Sequence, residues 1–241
     1  MPNDQTKQYS TDTQINHDFS HDKSHGYYTF DNKMKGNNLQ KVLRLGSYLA
    51  QNPLQIRRYL RESIGSESPI ELALPWISFA AIDFLEDYID PDHTVVEFGG
   101  GGSTLFFGKR AKKVLCIESH KEWSQKIEAA SRLLSLTNVE IEVLPYDSQD
   151  LESYRKSKNL HRIDEESFDI ILVDGYEEDV QLRPTCFFHA ENHVNPGGIV
   201  IVDDSWRYPI IRKENKANNR SEFRSIGPCR PGVTTTDIYH Y

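Results

Sequence analysis

Carboxylates in two settings carry the chemistry that this sequence offers. Glu97 stands two residues ahead of four consecutive glycines, Gly99 to Gly102, which lead into Ser103-Thr104. Glu118 follows at the end of the next apolar run, about twenty residues past the first, where a ribose-binding acid belongs. A pyrophosphate seated at the glycine turn would be repelled by Glu97. A ligand with an ammonium, a sulfonium and a ribose but no phosphate would be favoured by it. The second setting is a set of acids that each close an apolar run: Asp174 after Ile170 to Val173, and Asp203-Asp204 after Ile199 to Val202. Three carboxylates brought together are costly unless a cation or a positive substrate compensates them. Hard oxygen ligands of this kind suit Mg²⁺ or Ca²⁺.

The elements that must position these residues are legible as alternating strands and helices. Val95-Val96-Glu97-Phe98 is strand-forming and runs directly into glycines free to take positive φ. Leu105 to Ala111 suits a short helix, and Val114-Leu115-Cys116-Ile117 a second strand. Ser119 to Leu134 has a helical stripe, and Val139 to Leu144 alternates as a strand does. Phe168 to Val173 is a buried strand. Val180 to Asn192 is a helix stopped by Asn195-Pro196-Gly197-Gly198, and Ile199 to Val202 is a fifth strand. The β-prone segment from Gly232 to Tyr241 is expected to add a final antiparallel edge strand. Strand and helix alternation implies an α/β fold with a doubly wound, mostly parallel sheet. Ligands of such sheets sit beyond the carboxyl ends of the strands, where these acids lie.

Three regions are expected. Residues 1–36 are polar and aperiodic and read as a disordered tail. His17, His21 and His25 recur there at every fourth position, without an apolar face to hold a helix. Residues 37–92 read as a helical extension: two helices joined at Pro53, then an apolar stripe over Ile77, Ala80, Ala81, Phe84, Leu85 and Tyr88 entered at Pro75. Residues 93–241 hold the sheet.

Glu97-Phe98-Gly99-Gly100-Gly101-Gly102-Ser103 resembles motif I of the class I S-adenosylmethionine (SAM) dependent methyltransferases, with Ser103 in place of the last glycine. The resemblance covers about residues 93–241, to the small O-methyltransferase type. It implies a Rossmann-like methyltransferase sheet and an enzyme that methylates a hydroxyl of a small molecule or sugar; the cysteine usage, separately, fits a reducing cytoplasm. It assigns the cofactor to Glu97, Gly99, Gly101, Ser103 and Glu118, with Asp147 after the third strand on the adenine. Asp174 and Asp203 become the catalytic acids. The cation-dependent members hold Mg²⁺ with an acid after strand four and an Asp-Asn pair after strand five. Here the matching residues are Asp174, Asp203 and Asp204. Without a metal, Asp203 is the first choice of general base, and His120 and His189 the alternatives. Trp206, Arg207, Tyr208 and the turn-rich loop around Arg230 are candidates for the acceptor side, Arg230 being read as a surface residue.

Composition narrows the field. The net charge is −8 with no compensating basic stripe, which argues against a nucleic-acid groove. Cys116, Cys186 and Cys229 are far apart and odd in number, so neither a zinc site nor a disulfide framework is indicated. No run is long enough to span a membrane. An NAD(P)-dependent oxidoreductase of the same sheet type is disfavoured by Glu97 and by Thr104 at the position of a glycine. A non-catalytic SAM-binding protein is the third reading.

Overall fold

The structure is a computed structural model that describes residues 38–65, 67–177 and 181–241. The tail and its three histidines lie outside the described residues.

Seven strands form one sheet: β1 Thr94–Phe98, β2 Lys113–Glu118, β3 Val139–Val143, β4 Phe168–Val173, β5 Val194–Val202, β6 Asn219–Gly227 and β7 Arg230–His240. Their order is β3-β2-β1-β4-β5-β7-β6. The first five strands are parallel, and β7 runs antiparallel to both β5 and β6. The helices are α1 Asn38–Gln51, α2 Gln55–Arg58, α3 Pro69–Leu72, α4 Phe79–Tyr88, α5 Gly102–Gly108, α6 Lys121–Leu133, α7 Leu151–Tyr154, α8 Leu182–Ala190 and α9 Pro209–Glu214.

The period of two divides the central strands between two cores. Val95, Val114, Ile170, Leu172, Ile199 and Ile201 face α4 and the phenylalanines of α5. Val96, Leu115, Ile117, Ile171, Val173, Val200 and Val202 face α8 and α9. Strands covered on both faces need continuous apolar runs, which is what these segments contain. Glu97 is the exception, a fully buried acid in the middle strand.

Three expectations shift. The stripe helix begins at Phe79, capped by the Ser78 hydroxyl, which accepts from the Ala81 N–H at 3.3 Å; Pro75 and Trp76 lie in the bend before it. Asn195 to Gly198 belongs to β5, where Gly197 takes φ +85° and the register against β4 slips. The final strand β7 is antiparallel as expected but interior; β6 is the edge.

The described residues before β1 pack on the sheet. Leu45, Tyr48, Leu49 and Tyr59 lie against the α4-side core. The Ser63 hydroxyl donates to the Gly227 carbonyl at 2.7 Å, at the β6–β7 turn. Residues 69–74 cover the start of α5 so closely that a Cβ on Gly102 would lie 2.1–2.2 Å from the carbonyl oxygens of Leu74 and Pro69.

Candidate active site

Beyond the carboxyl ends of β1, β2 and β4 opens a cleft of about 510 Å³. Gly99 to Ser103 form its floor, Glu118, His120 and Trp123 one wall, and Asp174, Tyr176 and Arg183 the other; Pro69 and Trp76 stand at the rim.

The turn is built by backbone freedom. Gly99 takes φ +88°, and a Cβ there would lie 2.8 Å from the Asp174 carbonyl oxygen. Gly100 has no room either, since a Cβ would meet the Cys116 sulfur at 2.3 Å. The Thr104 hydroxyl accepts from the Gly101 N–H at 3.0 Å, and the Trp123 indole donates to the Gly100 carbonyl at 2.7 Å. A Cβ on Gly101, by contrast, would approach only the Trp123 ring, at 3.9 Å. That glycine faces the open cleft.

Glu118 ties β2 to the turn. One carboxylate oxygen accepts from the N–H groups of Ser119 and His120 at 2.7 and 2.8 Å, the other from Gly100 at 3.0 Å. A carboxylate has about four acceptor sites, so capacity remains for a hydroxyl of a ligand.

Glu97 does not line the cleft. It lies beneath the turn, and the Ser103 hydroxyl, which does line the cleft, donates to its Oε2 at 2.5 Å. Its Oε1 is buried without a partner. Burial pushes the carboxyl up to about 7, against the opposing effect of the Ser103 hydroxyl. Ser103 therefore stands between the Glu97 carboxyl and the cleft.

Asp147 is also displaced from its expected role. It is exposed and accepts from the Gln149 N–H at 2.9 Å, closing a turn of its own loop. Its neighbour Tyr146 points inward and donates to the Tyr176 carbonyl at 2.5 Å. Tyr146, Ser119, Gly175 and Tyr176 line a small cavity adjoining the cleft. Alternating inward and outward residues after β3 is the signal that favours Tyr146 over Asp147.

The acids after β4 and β5 receive countercharge from two arginines. Arg183, at the start of α8, pairs with Asp174 at 2.8 Å and donates to the carbonyls of Gly175 and Asp203 at 3.1 and 3.3 Å. Arg230, the first residue of β7, reaches Asp203 at 3.1 Å, Asp204 at 2.9 Å and the Trp76 carbonyl at 3.0 Å. Thr236 donates to the other oxygen of Asp203 at 3.0 Å, and Thr234 to Asp204 at 2.8 Å. Among the described residues, the ligand atoms of Asp174, Asp203 and Asp204 do not converge as a metal site requires. The three carboxylates read as a metal set are paired in this structure with Arg183 and Arg230.

Asp203, the first choice of general base from sequence, is buried and does not line the cleft. Asp174 lines the cleft, and burial raises its carboxyl above the usual range although Arg183 opposes the shift. Asp204 is held low by Arg230 and Arg183, which outweigh its burial. Of the two histidines weighed as bases, His120 lines the cleft and His189 does not. Tyr208 is buried with its hydroxyl on the Glu177 carboxylate, and Trp206 to Tyr208 do not line the cleft. Arg230, read from sequence as a surface residue, is the cation that joins β5, β7 and the Trp76 bend.

No protein-family model and no curated protein matches this chain. Among solved structures, a protein from Klebsiella pneumoniae assigned as an O-methyltransferase aligns over 86% of this chain and 91% of its own, with 14% identity and a TM-score of 0.51. The chain shares that protein's Rossmann-like fold. The O-methyltransferase TomG of tomaymycin synthesis from Streptomyces achromogenes, solved with SAM, aligns over 82% of this chain and 96% of its own, at 13% identity and a TM-score of 0.49. An rRNA methylase from Streptococcus thermophilus aligns over 73% and 98%, at 14% identity and the same TM-score. Among the described residues no helix is long and apolar enough to cross a membrane.

Proposed function

We propose that this chain is a SAM-dependent methyltransferase acting on a hydroxyl of a small molecule or sugar. The observation that carries the reading is the acid–glycine–acid arrangement of the cleft: Gly99 to Ser103 as its floor, Glu118 at its wall, Glu97 behind Ser103. The residues fit the cofactor. Glu97 Oε1 is an orphaned buried acceptor beside the turn, and Gly101 presents open space where a side chain would intrude. Bound SAM supplies an electrophilic methyl group on a sulfonium centre.

The chain's own residues do the rest. Glu118 takes the ribose hydroxyls. Ser103 and Glu97 receive the positive amino-acid end, which is why a phosphate-free cofactor suits this turn. Asp174 accepts the proton of the acceptor hydroxyl, its raised pKa making it a better base than an ordinary aspartate. His120, on the opposite wall, orients the acceptor. Trp76, 50% exposed at the rim, excludes water when the cleft is filled.

The oxidoreductase reading has one feature in its favour. Tyr154 and Lys158 have the Tyr-x-x-x-Lys spacing of a hydride-transfer site. Tyr154, however, is buried against Tyr146, with ring centroids 4.8 Å apart, and neither residue lines the cleft. Calorimetric titration with SAM and with NAD separates the readings. SAM is expected to bind and NAD is not, and Glu118→Ala weakens SAM by about 1.5–3 kcal/mol, the worth of a charged hydrogen bond. Unchanged SAM affinity in that variant would remove the ribose assignment. Asp174→Asn is expected to cut turnover on an acceptor found by methyl-transfer screening while SAM affinity holds.

A further inference from the structure

A second cluster of chemistry-bearing side chains lies away from the cleft. His189 follows Arg183 by six residues on α8, about 9 Å along the helix axis. Facing it are His161, in the single 3₁₀ turn Leu160–Ile163, and Asp164, which ends that turn. His161 Nδ1 is 2.9 Å from one carboxylate oxygen of Asp164, and His189 Nε2 is 2.9 Å from the other. The three ligand atoms all lie within 4.8 Å of one another.

Two details separate this cluster from an ordinary surface ion pair. His189 Nε2 is buried and, although 2.9 Å from Asp164, is left without a hydrogen bond. His161 donates its other ring nitrogen to the Arg155 carbonyl at 2.8 Å. A backbone carbonyl on the far nitrogen is the outer partner that fixes the ring of a metal-bound histidine. His161 and Asp164 are exposed, which leaves an entry path and room for a water.

We propose that His161, Asp164 and His189 bind one divalent transition-metal ion. Two imidazoles and a carboxylate select Zn²⁺ or Co²⁺ over Mg²⁺ and Ca²⁺, and three protein ligands leave a fourth position for solvent. The ion would clamp the connection between β3 and β4 onto α8, the helix that carries Arg183 into the cleft. The site is independent of the methyl-transfer reading.

The test is titration of the full chain with Zn²⁺ by calorimetry and with Co²⁺ by visible absorption. One ion per chain is expected at this site, with the Co²⁺ bands of a four-coordinate complex. His161→Gln and His189→Ala should each weaken binding by about 100-fold or more and abolish the bands. His161 is exposed, so its variant keeps the fold, which circular dichroism verifies. A triple variant, His17→Gln, His21→Gln and His25→Gln, should retain the site. The proposal fails if the wild type binds no Zn²⁺ at about 100 μM, if both site variants bind as tightly as wild type, or if the triple variant alone loses the ion.

Discussion

At the β1 end of the cleft, one contiguous run from Glu97 to Thr104 builds the turn, with Glu118 and Trp123 as distant supports. At the β4 and β5 end, Asp174, Arg183, the adjacent Asp203 and Asp204, and Arg230 come from four places in the chain and pair with one another. The first end is shaped by where a Cβ cannot fit. The second is shaped by where a charge cannot stand alone. A cofactor is read by geometry at one end; at the other, a single exposed face of Asp174 remains after the rest of the charge has been used for structure.

The difference predicts different sensitivities. Arg183→Ala should be the most damaging change, destabilising by about 3 kcal/mol, because it removes the pair with the partly exposed Asp174 together with the hydrogen bonds to the Gly175 and Asp203 carbonyls. Urea unfolding measures it. A loss under about 1 kcal/mol, the worth of an exposed pair, would show that the charges of this end are not interdependent.

Glu97 tests the other end. Its carboxyl is raised to about 7 in the folded protein, above the ordinary 4.5. A raised pKa gives stability that is complete below the unfolded value and lost as pH rises through the folded one. Glu97→Gln should therefore match wild type at pH 4 and exceed it above pH 7, by up to about 3 kcal/mol. Unfolding curves at pH 4, 6 and 8 show whether the gap opens. SAM affinity should rise over the same interval in the wild type only.

Gly102→Ala places a Cβ against two backbone carbonyls, so residues 69–74 must move; a cost of about 1–3 kcal/mol is expected. If thermal melting shows none, that segment is not seated on α5. The smallest effect is at Asp147. Asp147→Ala should stay within about 0.5 kcal/mol and leave SAM affinity unchanged, since the carboxylate closes only its own loop. A tenfold loss of SAM affinity would restore it to the site.

What was legible in the sequence follows the same division. The parallel strands announce themselves as apolar runs, and the glycine turn and Glu118 are set by spacing along one stretch. The edge strand β6 was missed because Asn219 to Gly227 carries Arg220, Glu222 and Arg224, charges that protect an edge and hide its strand character. With β6 unseen, β7 was given the edge. Arg230 was hidden for a related reason: its Pro and Gly neighbours signal a turn, and a turn suggests solvent. Its partners Asp203 and Asp204 are 27 and 26 residues away, so only the tertiary fold brings it to them. The need for a countercharge was readable; which group supplied it was not.

The position of β7 between β5 and β6 has a consequence for biosynthesis. Asp203 leaves the ribosome 27 residues ahead of Arg230, an interval of about 1–5 s at ordinary rates of elongation. During that interval the five parallel strands can assemble, yet the edge of β5 stays open and two aspartates next to it lack their cation. The nascent chain therefore passes through a stage with an unpaired apolar edge, guarded by negative charge. That charge repels a second nascent chain at the same edge until the hairpin arrives to cover it.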